Sequence, residues 1–354
     1  MSEPSAARPA AAAPSPTALR ATIVATAVSL LLVLAIVLGS RYLRTLDAAL
    51  LPYAVATVFL AFGVAYRCTV RLAAPAPRNL HRQGRHSLFS AAGLRAVPAA
   101  LARTLAVQLG FRTPPGAGSR IRWIAHQLIV WGCLLAVLIT FPMTWGWVSF
   151  TATSPAGPGY MLRIWGFEVL GFDALNVVGW ALFHVLDLAA VLVIAGAGYF
   201  LWQRMRNRGG ATGQNFAYDM LPLLALIVIA VTGLLLTFSS LFLGGRGYAF
   251  LAVLHMVSVV FTLICLPFGK FFHIVQRPAS AGVGLLGDRA RRSGEILTCR
   301  RCEEPLGTEP AAANLRTTMG ELDLRLEEWA GYCPRCKRKM RGGAYFAEAK
   351  KSTT

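Results

Sequence analysis

The sequence predicts an all-α polytopic membrane protein of about six transmembrane helices with a small, cysteine-bearing C-terminal domain. Of its 354 residues, 55% are hydrophobic and only 14% are charged, and the mean hydropathy is +0.54. Such a chain has too little polar surface to cover a soluble globule of this size. The apolar residues also gather into six runs, each long enough to cross a bilayer.

The net charge of +19 raises the question of nucleic-acid binding. The basic residues, however, cluster between the apolar runs, which is the distribution that cytoplasmic loops of membrane proteins show. We therefore expect no nucleic-acid partner. Three of the seven cysteines lie in apolar runs and four form a C-terminal pair of pairs, which is unlike a disulfide-stapled secreted domain and favours a reducing, cytoplasmic setting for the tail.

Residues 1–19 are mostly Ala, Pro and Ser, a composition that predicts a disordered N-terminal tail. The first apolar run, about Ala21 to Gly39, is long for a signal peptide and lacks a small-residue cleavage motif before Arg41. It therefore predicts a retained transmembrane helix. A second run, about Ala49 to Tyr66, follows after a short connection.

The loop at 67–120 is strongly basic. Ten arginines and no acidic residue lie between Arg67 and Arg122, which predicts a cytoplasmic loop. Within it, the stretch from Ala91 to Phe111 has apolar residues at helical spacing. It is either a helix lying on the inner leaflet or a solvated basic loop.

Four further runs complete the membrane domain, which we place at 20–278, and the charged cytoplasmic tail follows at 279–354. These runs cover about residues 121–147, 177–202, 218–243 and 248–277. Six spans with both termini in the cytoplasm satisfy the charge bias everywhere except at Arg41 and Arg44, which lie outside. We expect this topology in a multi-pass protein of a bacterial-type inner (cytoplasmic) membrane.

The last apolar run contains two histidines, His255 and His273. An ionisable residue inside a membrane is a functional-site hypothesis by default. At about 100° per residue, their 18-residue separation is five full turns of one helix, about 27 Å along the axis. Both imidazoles would then point the same way, one near each membrane surface, as two stacked haems require.

Two more histidines supply partners at matching depths. Counting from the ends of the spans pairs His126 with His273 on the inner side and His184 with His255 on the outer side. A bis-histidine b-type haem at each level explains this arrangement and makes the helices a haem-binding bundle. The alternative is that the histidines only form hydrogen bonds to neighbouring helices.

Other polar residues accompany these histidines. Asp187 shares a helix face with His184, where it could orient the imidazole, carry protons for a quinone, or be hydrated at the outer interface. Lys270 stands at the inner boundary, where it could contact a haem propionate or simply extend to the interface. His81 and His86 lie in the basic loop and are expected to be surface residues.

The segment HMVSVVFTLICLPFGKFFHIVQRP resembles the last helix of the gamma, or cytochrome b, subunit of membrane-bound respiratory nitrate reductase. Related cytochrome b subunits of heterodisulfide-reductase-like complexes share this likeness. LLPYAVATVFLAFGVAYR resembles the first helix of that subunit and WIAHQLIVWG its second, with His126 matching an inner haem ligand. The resemblance covers about residues 51–278 and is specific only in the last span.

The resemblance implies a subunit that oxidises membrane quinol and passes electrons through two b-type haems to a soluble iron-sulfur protein on the cytoplasmic side. Two departures matter. This chain has an additional N-terminal span, and Ala136 stands where the family has a second ligand on the helix of His126. The outer haem must then use His184 or be absent.

In the tail, Cys299 and Cys302 form one Cys-x2-Cys pair, and Cys333 and Cys336 form a second pair 30 residues further on. Two such pairs supply four thiolates at the tetrahedral geometry that zinc prefers. The sequence therefore predicts a zinc-ribbon-like domain. A single iron, which would make the tail an electron relay, is the competing interpretation.

The residues also permit a function of another class. A non-redox membrane scaffold or transporter with a zinc-ribbon docking tail would show the same spans and the same cysteines. Broken helices or a polar stripe along several spans would favour this alternative, and apart from Asp187 the apolar runs show little of either.

Overall fold

The computed structural model describes residues 15–90, 95, 98, 117–154, 157–206, 216–279, 281–324 and 327–351. The chain is mostly helical, and six of the described helices are long and apolar enough to cross a membrane. The predicted all-α polytopic fold class is thus confirmed. The first helix begins at Pro16, so the end of the predicted disordered tail is helical. The rest of that tail lies outside the described residues.

The helices are named here in chain order. They are α1 (Pro16–Gly39), α2 (Leu51–Ala73), α3 (Pro75–Leu88), α4 (Ala117–Thr144), α5 (Val177–Arg206), α6 (Leu221–Phe242), α7 (Tyr248–Cys265), α8 (His273–Ala279), α9 (Ala281–Arg292), α10 (Glu309–Glu321) and α11 (Pro334–Lys351). The strands are β1 (Val148–Ala152), β2 (Gly159–Ile164), β3 (Phe167–Asp173), β4 (Ile296–Thr298) and β5 (Pro305–Thr308).

Five of the long helices form a ring. Around the ring, α2 contacts α7, α7 contacts α6, α6 contacts α5, α5 contacts α4, and α4 contacts α2. Helix α1 packs against α2 outside this ring. Many large apolar side chains on these helices stay exposed, for example Leu30 at 63% and Leu31 at 65%. Helices that are apolar all round belong in lipid, so this exposure fits a membrane bundle.

A three-stranded antiparallel sheet in the order β1-β2-β3 caps one end of the bundle. We call this end of the bundle the sheet face. The sequence predicted only a connection here. Arg41, in the turn after α1, donates from Nε to the carbonyl of Trp165 at 3.0 Å and lies 4.8 Å over the ring of Phe167. The arginine that breaks the charge bias therefore holds this turn against the sheet.

The sixth span is broken. Helix α7 ends at Cys265, because Pro267 has no N–H to continue it and Gly269 adopts an extended conformation with φ −98° and ψ −165°. The predicted single helix carrying His255 and His273 through five continuous turns is therefore wrong. Instead, His273 begins the separate short helix α8.

The break is packed and held by α2. The Arg67 guanidinium donates to the carbonyl of Pro267 and lies 4.4 Å over the ring of Phe272. Gly63, one turn earlier on α2, lies directly against the Pro267 ring. Since Pro267 and Phe272 are both fully buried, the interruption is a fixed part of the fold.

The other end of the bundle, which we call the tail face, carries α3 and the C-terminal region. The basic loop begins as helix, since α2 continues to Ala73 and α3 follows at once. The predicted surface helix at 91–111 lies outside the described residues, apart from positions 95 and 98. Helix α3 packs against α9 and α10. The Glu321 carboxylate accepts from Arg78 at 2.6 Å and from Asn79 at 3.1 Å, which ties α10 to α3.

Candidate functional site

The two histidines of the predicted outer pair lie at the same depth. His184 is the eighth residue of α5 and His255 the eighth residue of α7, and both helices start at the sheet face. At 1.5 Å per residue each imidazole lies about 10 Å along its helix. Helix α6 contacts both α5 and α7, so the two histidines flank it. Shared ligation of a haem stays a prediction.

Asp187 fixes the orientation of the His184 ring. The Asp187 Oδ2 lies 3.0 Å from His184 Nδ1, and the Thr237 hydroxyl of α6 donates to Asp187 Oδ1 at 2.8 Å. An ionised carboxylate only accepts hydrogen bonds. In the neutral imidazole, Nδ1 therefore carries the proton, and Nε2 keeps its lone pair.

The His255 ring is oriented by Thr232 of α6. The Thr232 hydroxyl lies 2.9 Å from His255 Nδ1, and it also lies 2.7 Å from the Val228 carbonyl, to which it donates its single proton. The hydroxyl oxygen must then accept from His255, because a hydroxyl has only one proton to give. Here too Nδ1 is the donor and Nε2 keeps its lone pair.

The predicted inner pair lies near the tail face. His273 Nδ1 lies 2.6 Å from the backbone carbonyl of Lys270, so it donates to this carbonyl. His126, on α4, is within electrostatic range of both His273 and Arg277. The structure thus brings His126 and His273 into one neighbourhood, although His273 lies beyond the end of the last apolar helix rather than within it.

Close contact between α4 and α5 fixes the position of His126. A Cβ atom on Gly132 would come within 2.7 Å of the Ala189 carbonyl, and one on Gly196 within 2.4 Å of the Ala125 carbonyl. Both glycines are therefore needed for the two backbones to approach. His126 directly follows Ala125 and so sits at the edge of this rigid contact.

Lys270, predicted to contact a propionate, forms an ion pair with Asp219, two residues before α6. The Asp219 side chain is only 18% exposed. The sequence gives no sign of this partner. A haem propionate near Lys270 would therefore share its cation with a carboxylate of the chain.

The four cysteines of the tail come together as predicted. Their sulfur atoms all lie within 4.8 Å of one another, and those of Cys302 and Cys333 are 3.6 Å apart. Four sulfurs each about 2.3 Å from a tetrahedral ion are about 3.8 Å apart. The cluster therefore has the donor set and the dimensions to hold a metal ion.

Each cysteine pair sits on its own turn. The first pair follows β4, where Glu303 has a φ of 58° and the chain turns back into β5. The second pair opens α11. Backbone N–H groups point at the sulfurs, from Cys333 to the Sγ of Cys299 at 3.3 Å and from Cys336 to the Sγ of Cys333 at 3.4 Å.

These N–H groups change the acidity of the thiols. Burial raises the pKa of Cys299, but hydrogen bonds from the backbone of Cys333, Arg301 and Cys302 outweigh burial and lower this pKa to about 6. Burial, together with hydrogen bonds involving the other three cysteines, raises the pKa of Cys336 to about 12. A metal ion would remove this difference in acidity between the thiols, because it binds all four sulfurs as thiolates.

The fold and these clusters define a multi-pass helical membrane protein with a four-cysteine site in its C-terminal region. No protein family model matches the chain, and no curated protein and no solved structure matches it. Its function must therefore be argued from the residues of the sites themselves.

Proposed function

We propose that this chain is a dihaem, b-type membrane anchor subunit that transfers electrons between the quinone pool and a soluble redox partner, in the inner membrane of a bacterium. One observation carries the proposal. Three of the four intramembrane or membrane-edge histidines, His184, His255 and His273, donate from Nδ1 and keep the Nε2 lone pair. Metal-ligating histidines commonly show this pattern, because the bond at the far nitrogen fixes the tautomer and the ring orientation.

The residue types and their depths suit the group that the proposal requires. His184 and His255 would hold one haem toward the sheet face, and His126 and His273 the other toward the tail face. Bound between two imidazoles, a b-type haem exchanges single electrons. The Nδ1 proton is accepted by a carboxylate at His184, by a hydroxyl at His255 and by a backbone carbonyl at His273. An imidazole bonded to a carboxylate is the more basic ligand, so the two sites are expected to differ in reduction potential.

Asp187 suits the proton chemistry of a quinol as well as the positioning of His184. Oxidation of a quinol releases protons, and an ionisable group within a membrane often belongs to a proton path. The Asp187 side chain is 24% exposed and lies toward the sheet face. We assign to its carboxylate the role of holding the Nδ1 proton of His184 and of accepting a proton from quinol nearby.

The four-cysteine site would serve the soluble partner. We favour zinc, because the Arg and Lys residues around the pairs stabilise thiolate charge and a zinc site needs no redox partner. A single iron in the same four thiolates would make the tail an electron relay. By the family resemblance, the partner is an iron-sulfur protein on the cytoplasmic side. Metal analysis of the purified chain separates zinc from iron.

Substitution of the proposed ligands tests the function. His255→Ala and His273→Ala should each remove about one haem per chain and bleach part of the quinol-reducible absorbance. His81→Ala, a change of the same type on α3, is the control and should keep both haems. Unchanged haem content in the first two variants would overturn the proposal.

A further inference from the structure

We propose that the cleft between α3, α9 and the start of α10 is a binding site for a phosphate ester. The cleft has a volume of about 520 Å³ and lies on the tail face. Its polar lining comes from Arg82, Gln83 and His86 of α3, from Ser90 just after this helix, and from Arg289 of α9. This inference is independent of haem and of the proposed electron transfer.

The charge of the lining selects an anion. Arg82 and Arg289 reach the cleft from two different helices, and no carboxylate is among the described residues that line it. Among the residues that the structure describes, neither arginine has an ion pair or a side-chain hydrogen bond, whereas Arg78, one turn before Arg82, is paired with Glu321. Two guanidinium groups that converge on one space match the oxygens of a phosphate.

The start of α10 adds to the positive electrostatic potential of the cleft. Pro310 and Ala313 from the first two turns line the cleft, and the start of a helix carries a partial positive charge that favours anions. The nearest carboxylate on the helix, Glu309, is engaged by Arg316. The negative charge of Glu309 is thus compensated within α10.

The amide of Gln83 indicates that the ligand has a second polar group. Its Oε1 atom is buried and has no hydrogen-bond partner among the described residues. A buried acceptor of this kind is normally satisfied, and rotation of the Gln83 amide into the cleft that it lines would let a hydroxyl on the ligand satisfy it. A phosphate ester of a polyol has both groups, either as the headgroup of phosphatidylglycerol or as a soluble molecule such as glycerol 3-phosphate.

Binding of both ligand forms to the full-length protein tests the inference. Native mass spectrometry of protein loaded with phosphatidylglycerol or with phosphatidylcholine measures lipid binding, and calorimetry with glycerol 3-phosphate measures soluble binding. We expect one high-affinity ligand, either phosphatidylglycerol or glycerol 3-phosphate. Arg82→Gln and Arg289→Gln each remove one arginine–phosphate contact. Each variant should therefore bind the ligand about tenfold more weakly.

The control is Arg85→Gln, an exposed arginine of α3 that does not line the cleft. It should leave binding unchanged. Selective binding of the lipid assigns the cleft to a headgroup, and binding of glycerol 3-phosphate alone assigns it to a soluble ester. Equal weakening by Arg85→Gln, equal binding of phosphatidylcholine, or failure of both probes to bind would each overturn the proposal. Tail metal content and the thermal melting point should stay unchanged in all three variants, which separates loss of the site from loss of the fold.

Discussion

Replacing Asp187 by Asn removes the negative charge that faces His184 while keeping the shape of the side chain. The carboxylate accepts from His184 Nδ1 at 3.0 Å and from the Thr237 hydroxyl at 2.8 Å. A hydrogen bond to a charged group is about 1 kcal/mol stronger than a neutral one. For a one-electron couple, about 1 kcal/mol corresponds to about 40 mV.

In the proposed haem site, the charge on Asp187 would favour the oxidised iron, because it would make the His184 imidazole a stronger donor. Asp187→Asn should therefore raise the midpoint potential of one haem by about 40 mV and leave the other unchanged, as measured by optical redox titration. The control is Asp47→Asn. In the unchanged protein the Asp47 carboxylate accepts from the backbone N–H of Ala49 at 2.9 Å in the turn after α1. The reasoning would be refuted by two unchanged potentials, or by the same shift in the control.

Three further predictions follow from single contacts. Thr232→Val removes the acceptor of the His255 Nδ1 proton and should lower the affinity for one haem about tenfold, measured by haem titration, whereas Thr262→Val on α7 should not. Cys302→Ser should abolish stoichiometric metal in the tail by elemental analysis, while Cys265→Ser in the membrane domain keeps it; retained metal in the first variant would contradict a four-thiolate site. Glu321→Ala breaks the link to Arg78 and the buried Asn79 and should destabilise tail docking by about 1 kcal/mol, seen as faster limited proteolysis. Glu309→Ala, which removes an exposed ion pair with Arg316, should have a smaller effect. Equal cleavage rates in the Glu321→Ala and Glu309→Ala variants would rule out the link between Glu321 and α3.

Hydropathy predicted the membrane helices well, because apolar length alone defines a span. The predicted fourth run at 177–202 corresponds to α5 (Val177–Arg206), and the fifth at 218–243 to α6 (Leu221–Phe242). The end of the sixth span was missed for a local reason. Helix α7 ends at Cys265, before Pro267, and the extended Gly269 prevents it from continuing. A glycine among apolar residues gives no signal of that conformation.

The sheet at the sheet face and the β4–β5 hairpin were also missed. Their strands have only three to seven residues, and short strands beside long apolar helices give little periodic signal. The cysteine cluster was predictable, since its spacing alone prescribes the turns.

Depth along the helices could be counted from the sequence, and His184 and His255 indeed share the eighth position of their helices. The residues that orient the rings could not be predicted in the same way. Thr232 and Thr237 lie on α6, and which of its faces meets α5 and α7 depends on the packing of all three helices. A threonine in an apolar helix gives no sign that its free lone pair accepts from a histidine.

The haem-to-protein ratio of the purified chain tests the central claim most directly. The sample would be expressed with haem available, and pyridine haemochrome absorbance would be divided by protein from amino-acid analysis. Two noncovalently bound b-type haems per chain are expected. A ratio near one would mean that only one of the two histidine pairs binds haem. A ratio near zero would contradict the proposed electron transfer and would favour a membrane scaffold or transporter with a metal-binding tail.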